Sequence, residues 1–137
     1  MALPFLVVKT RAPASLPGLV ARPRLVSALN TCLQWGVQVA LVAAPAGAGK
    51  TTLLTQWLRQ IPTNFRAGWL SLDEGDNSLA RFLACLFAAI PGLGVDFAAQ
   101  VEVNPDINAE QAIAFLVEQV AEAESDILLV LDDYHVI

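Results

Sequence analysis

The sequence predicts an α/β fold, a parallel sheet flanked by helices, and three observations predict it. Short, mostly apolar runs at Val37 to Ala43, Ala67 to Leu72 and Ile127 to Leu131 have the length of strands. Between them lie longer segments whose apolar residues recur every three or four positions, as on one helix face. Continuous apolar runs suit strands covered on both faces, which is the rule in parallel sheets.

Taken in order, residues 11–23 carry three prolines and a glycine, so residues 1–22 form an extended, proline-rich leader. Pro23 suits a first helical turn, and Leu25, Ala28, Leu29, Cys32 and Leu33 follow at helical spacing until Gly36. The Val37–Ala43 strand comes next. Leu53, Leu54, Trp57, Leu58 and Ile61 then form a second helical stripe, closed by Pro62. After the strand at 67–72, Ser78 is placed to cap a helix with a core stripe of Leu79, Phe82, Leu83, Leu86 and Ile90, stopped by Pro91 and Gly92. Asn108 and Gln111 have capping-box spacing, with Ile113, Leu116, Val117 and Val120 behind them. Residues 23–137 thus read as one α/β domain.

Composition narrows the function. Apolar residues make up 55% of the 137 and charged residues 15%, so the chain is not disordered and much of it is interior. A net charge of −5 argues against a nucleic-acid-binding face, which needs clustered Lys and Arg. The N-terminus places its positive charge after the apolar stretch, the reverse of a secretory signal. No apolar run reaches the roughly 20 residues of a membrane span. The expectation is a cytoplasmic protein with Cys32 and Cys85 as separate thiols in a reducing compartment.

The chemistry is concentrated in "APAGAGKT", residues 44–51, between a predicted strand and a predicted helix. That is the context of a P-loop, with Ala44 in place of the glycine of the strict form. Phosphate oxygens are held there by successive backbone N–H groups at a helix N-terminus. Side chains would obstruct that approach, so Gly47 and Gly49 permit it, and Ala46 and Ala48 intrude little. Pro45 has no N–H to offer but stiffens the loop. Lys50 is the expected β- and γ-phosphate contact and Thr51 the expected Mg²⁺ ligand, with Thr52 completing the nucleotide-binding set.

"ILLVLDD" is an apolar strand ending in acid, the Walker B form. Its carboxylate falls at the C-terminal edge of a parallel sheet, where open α/β folds bind ligands. Asp132 is the expected Mg²⁺ residue alongside Thr51, and Asp133 the residue that orients or activates water. Glu74, at the end of the second strand, is a further candidate for orienting water, and His135 reads as a loop residue. The fold is therefore of the P-loop NTPase type, with ATP or ADP and Mg²⁺ as the expected cofactors.

Together "LVARPRLVSAL", "LVAAPAGAGKTTLLTQW", "WLSLDEGDNSLARFL" and "LVLDDYH" resemble the N-terminal ATPase module of the large ATP-dependent LuxR-type transcription regulators, in the STAND class of signalling NTPases. The resemblance runs from about Arg11 to the last residue. It implies a switch that rests with ADP, exchanges it for ATP with an inducer, self-associates and is reset by hydrolysis. By position, Lys50 and Thr51 match the phosphate and magnesium contacts, and Asp132 and Asp133 the acidic pair. Arg22 falls in the segment that lies against the nucleotide in related proteins.

The resemblance also implies a sensor region, helical repeats and a DNA-binding helix-turn-helix beyond residue 137, so the chain reads as a fragment. A strand expected to lie between the P-loop and Walker B strands would also come later. Without it those two strands stand roughly 10 Å apart, and the gap needs a partner, another pairing or collapse. The implied partners are nucleotide and the rest of the parent regulator or a second copy, with no direct nucleic-acid contact and no membrane. A small P-loop kinase and an inactive remnant are the alternatives. A kinase should carry an arginine-bearing lid to close over phosphates, and the eight Lys and Arg here show no such cluster. Hydrolysis by this chain alone is expected to be weak or absent.

Overall fold

The computed structural model describes residues 4–14, 17–91 and 108–136. Its elements are α1 (Pro4–Lys9), α2 (Pro23–Gln34), α3 (Lys50–Leu58), β1 (Phe65–Ser71), α4 (Leu79–Ala89), α5 (Ala109–Ala121) and β2 (Asp126–Asp132). Short 3₁₀ turns occupy Glu74–Asn77 and Tyr134–Val136. These elements fall into two compact units. One comprises Met1–Ala12 with Thr63–Ile137, the other Pro13–Pro62.

The first unit holds the sheet. β1 and β2 pair in parallel, in register from Phe65 opposite Asp126 to Ser71 opposite Asp132. One face carries Leu70 and Leu72, buried with Leu83, Cys85, Phe87 and Ala89 of the α4 helix, Ala112 of α5 and Leu6 of α1. The leucines and Phe87 contribute about 1.5–3 kcal/mol each when fully buried. Gly68 explains how α4 comes so near: a Cβ there would lie 2.1 Å from the Ala89 carbonyl oxygen. Phe87 and Phe115 add a tilted ring pair at 6.4 Å.

Several expectations shift here. The leader is not extended throughout, because Pro4–Lys9 is helical and inserts Leu6 into the core. Ser78 holds the N-cap position of α4 without a side-chain cap bond, and Leu79 is exposed. Gly92, half of the predicted helix stop, lies outside the described residues. In α5 the Asn108 side chain does accept an N–H, from Glu110 at 2.9 Å, but Gln111 makes no reciprocal bond. The buried side of α5 is Ala112, with Phe115 and Leu116 packed beside it, whereas Ile113, Val117 and Val120 are exposed. Glu110, Gln111, Glu118 and Gln119 gather on one half of the helix, and the face that packs, Ala112 with Phe115 and Leu116, is rotated away from the centre of the apolar arc.

In the second unit α2 begins at Pro23 and ends at Gln34, followed after the Trp35 cap by Gly36, whose φ of +66° favours glycine. Val26 and Leu29 are its buried residues, while Leu25 and Ala28 of the expected stripe face outward. Leu53, Leu54 and Trp57 bury one side of α3 as expected, and the Trp57 indole N–H donates to Asn30 Oδ1 at 2.8 Å. The larger correction is Val37–Ala43, which forms no strand. Val39 and Leu41 are each 85% exposed. A strand exists only through its neighbours' peptide groups, and β1 and β2 pair with each other instead. The sheet among the described residues therefore has two strands, not three.

Cys32 and Cys85 are both free thiols. No helix among the described residues is long and apolar enough to cross a membrane.

Candidate functional site

The glycine-rich loop opens α3 as its sequence requires. Gly47 and Gly49 adopt φ of +79° and +86°, in the left-handed region that costs other residues energy. Gly49 is the N-cap of α3 and offers no side-chain cap. Ala48 N–H closes a turn on the Pro45 carbonyl at 3.1 Å, and Leu53 N–H takes the Gly49 carbonyl at 2.9 Å. The N–H groups of Ala46, Gly47 and Gly49 have no acceptor among the described residues. Residues 44–47 are exposed, and a Cβ on Gly47 would meet nothing within 4 Å. The loop is open.

Two cations converge on it. Lys50 Nζ donates to the Ala44 carbonyl, and the Pro45 carbonyl lies 3.4 Å away. Arg22 Nη1 donates to the Ala48 carbonyl at 2.9 Å. The guanidinium lies against Gly49 so closely that a Cβ there would sit 2.9 Å from Nη2. Arg22 itself is the N-cap of α2, and Gln56 of α3 donates to the nearby Val20 carbonyl at 3.2 Å. Neither Arg22 nor Lys50 has a carboxylate partner among the described residues. Of the residues singled out in this unit, Arg22, Ala44, Pro45, Ala48, Gly49 and Lys50 are thus brought together. Thr51 and Thr52 follow on the first turn of α3.

Asp132 and Asp133 sit where the sequence placed them, at the C-terminal end of a parallel strand. Asp132 closes β2 and is buried, and its carbonyl accepts Leu72 N–H at 3.0 Å. Asp133 is exposed, with φ +59°, uncommon for a residue other than glycine. Glu74 is exposed at the start of the 3₁₀ turn after β1, and His135 is exposed.

Sequence reading did not find the charged cluster beside this edge. Asp76 is 2% exposed and takes an ion pair from Lys9, a bond from Asp73 N–H at 2.8 Å and the Arg81 guanidinium at 3.4 Å. Lys9 also reaches Asp73 at 2.9 Å. Burial alone would lower the Lys9 pKa, but the bonds to Asp76 and Asp73 outweigh it and raise it. The Lys9 bond holds Asp73 below the usual carboxylate range. Burial, reinforced by the Asp76 charge, pushes the Cys85 thiol up to about 12, which leaves it inert. Lys9 and Asp76 are 67 residues apart, beyond any local pattern.

Chemically, the loop offers unclaimed N–H donors and two cations to an anion, with open space beside Gly47. Phosphate fits it. The hard oxygen donors of Thr51 and Asp132 are of the type Mg²⁺ takes. No group of three His, Cys, Asp or Glu among the described residues is arranged to hold a metal by itself. Magnesium is commonly held by one or two protein groups together with phosphate and water.

The molecule is thus an α/β chain with a parallel strand pair ending in acid and an anion-receptive loop opening a helix. It is 36% identical over 133 residues to the HTH-type transcriptional regulator MalT of Cronobacter sakazakii (strain ATCC BAA-894). That alignment covers 94% of this chain and 14% of MalT, so the chain is related to MalT and spans a small part of its length. No family model matches the chain, and no solved structure matches it.

Proposed function

We propose that this chain is the ATP- and ADP-binding module of a LuxR-type transcription regulator, a cytoplasmic switch of the P-loop NTPase class. The relation to MalT supports the regulator part of the reading. One observation carries the nucleotide part: Arg22 and Lys50 meet at one open loop with only carbonyl oxygens for company. In a chain with a net charge of −5, two unneutralised cations beside unclaimed N–H groups favour an anion.

Backbone N–H groups between Ala46 and Thr51, other than that of Ala48, which is given to the Pro45 carbonyl, cradle the β- and γ-phosphates in this reading. Lys50 exchanges its carbonyls for phosphate oxygens, and Arg22 supplies a second positive contact. Thr51 and Asp132 are the magnesium residues, and Asp133 orients water. Magnesium, when bound, neutralises phosphate charge. Turnover by this chain alone is low. The DNA-binding, sensor and assembly functions belong to the rest of a regulator.

Titration with a fluorescent ATP analogue tests the reading. Lys50→Ala is expected to weaken binding at least tenfold, since a charge-assisted contact is lost, on the order of 1.5–3 kcal/mol. Equal affinity in wild type and Lys50→Ala would reject it.

A further inference from the structure

Ser71 has no part in the reading above, yet it stands at the same sheet edge as Asp132. It ends β1 and is in register with Asp132, which ends β2. In-register residues of neighbouring strands project from the same face, about 4.8 Å apart. The Trp69 indole, two residues back and so also on that face, donates its N–H to Ser71 Oγ at 2.8 Å. Trp69 is 3% exposed, so the ring is fixed and fixes the hydroxyl oxygen with it.

An indole N–H can only donate. Ser71 Oγ is therefore the acceptor in that bond, and its own proton remains to be given. It has no acceptor for that proton among the described residues. The residue in register with it on the same face is Asp132, whose carboxylate has four lone-pair sites and so can serve a cation and a hydroxyl together.

We propose that Ser71 is a positioning residue for Asp132, giving its hydroxyl proton to that carboxylate when a divalent cation is held there. This rests on the proposed function. Carboxylates that serve metals are themselves held by such outer bonds, and losing one weakens metal binding by about tenfold or more. Trp69 orients the hydroxyl, Ser71 orients the carboxylate, and the cation sees the result.

The experiment titrates the full chain with a fluorescent ATP analogue in EDTA and again across a MgCl₂ series. In EDTA, Ser71→Ala is expected to bind like wild type, because the Ala44–Thr51 loop is untouched. With magnesium, the half-saturating concentration should rise about tenfold in Ser71→Ala and stay near wild type in Ser71→Thr, which keeps the hydroxyl. Trp69→Phe frees the hydroxyl and should give a smaller rise. An unchanged magnesium dependence in Ser71→Ala overturns the proposal, and so does an equal loss in EDTA, which marks a structural role. A wild-type chain that binds no nucleotide in either condition overturns the proposed function, and this inference falls with it.

Discussion

Lys9 and Lys50 show what the same side chain does in two parts of one molecule. Lys9 is 8% exposed and sits between the carboxylates of Asp76 and Asp73. Lys50 touches only the carbonyls of Ala44 and Pro45, in an exposed setting. The glycines repeat the contrast. Gly68 has no room for a methyl group, whereas a Cβ on Gly47 would meet open space. One region has its charges paired and its volume filled; the other has neither. A buried pair commits both partners to the fold, while an open cation remains able to change partners on binding an anion.

Breaking the closed region should therefore have the largest effect. Lys9→Met removes one partner of a buried pair and leaves Asp76 without its main counter-charge. Loss of one member of such a pair costs about 3–5 kcal/mol, read as a lower midpoint in urea. Gly68→Ala comes next. The Ala89 carbonyl is backbone and cannot swing aside, so α4 itself must shift, at about 1–3 kcal/mol by the usual cost of overpacking. A midpoint unchanged in either variant would erase the distinction between the regions.

The open region should respond in binding and hardly in stability. Gly47→Ala meets no steric neighbour, so its cost is the left-handed backbone alone, about 1 kcal/mol. Lys50→Ala should move the urea midpoint by no more than about 0.5 kcal/mol equivalent, as exposed substitutions do. Its effect is reserved for the nucleotide titration. Were Lys50→Ala as destabilising as Lys9→Met, the loop lysine would be a structural residue after all.

The two regions also differed in how far sequence revealed them. The loop is local. Its glycines, Lys50 and the start of α3 are adjacent in the chain, so pattern and backbone chemistry located them together. The strands β1 and β2 were legible for the same reason, within a residue or two at their ends. What sequence missed depends on contacts between distant residues. The Lys9–Asp76 pair joins residues 67 apart in the chain, and α1 exists as a core element because Leu6 has somewhere to go. The face of α5 that packs is rotated from the apolar arc that periodicity marks, leaving Ile113, Val117 and Val120 exposed. Val37–Ala43 has the composition of a strand and lacks strand neighbours. Composition sets what a segment is able to become, and pairing decides whether it does.

The subtlest way to sharpen the contrast is by pH, because the closed region should carry a signature of its paired charges. Asp73 has a lowered native pKa, so its contribution is present above its ordinary value of 3.8 and disappears as pH falls through the lowered one. Lys9 has a raised native pKa, so its contribution is present below 10.5 and disappears as pH rises through the raised one. Both terms are fully present between those limits. Asp73 is half-exposed, so solvent screening keeps its acid limb shallow. Urea denaturation from pH 3 to 11 should show that plateau in wild type. Lys9→Met should lose the alkaline fall and flatten the Asp73 part of the acid one, since its first cause is the Lys9 bond. Identical profiles in the two proteins would mean that the ion pair does not hold α1 to the sheet unit in solution, and Leu6 alone would then have to account for its docking.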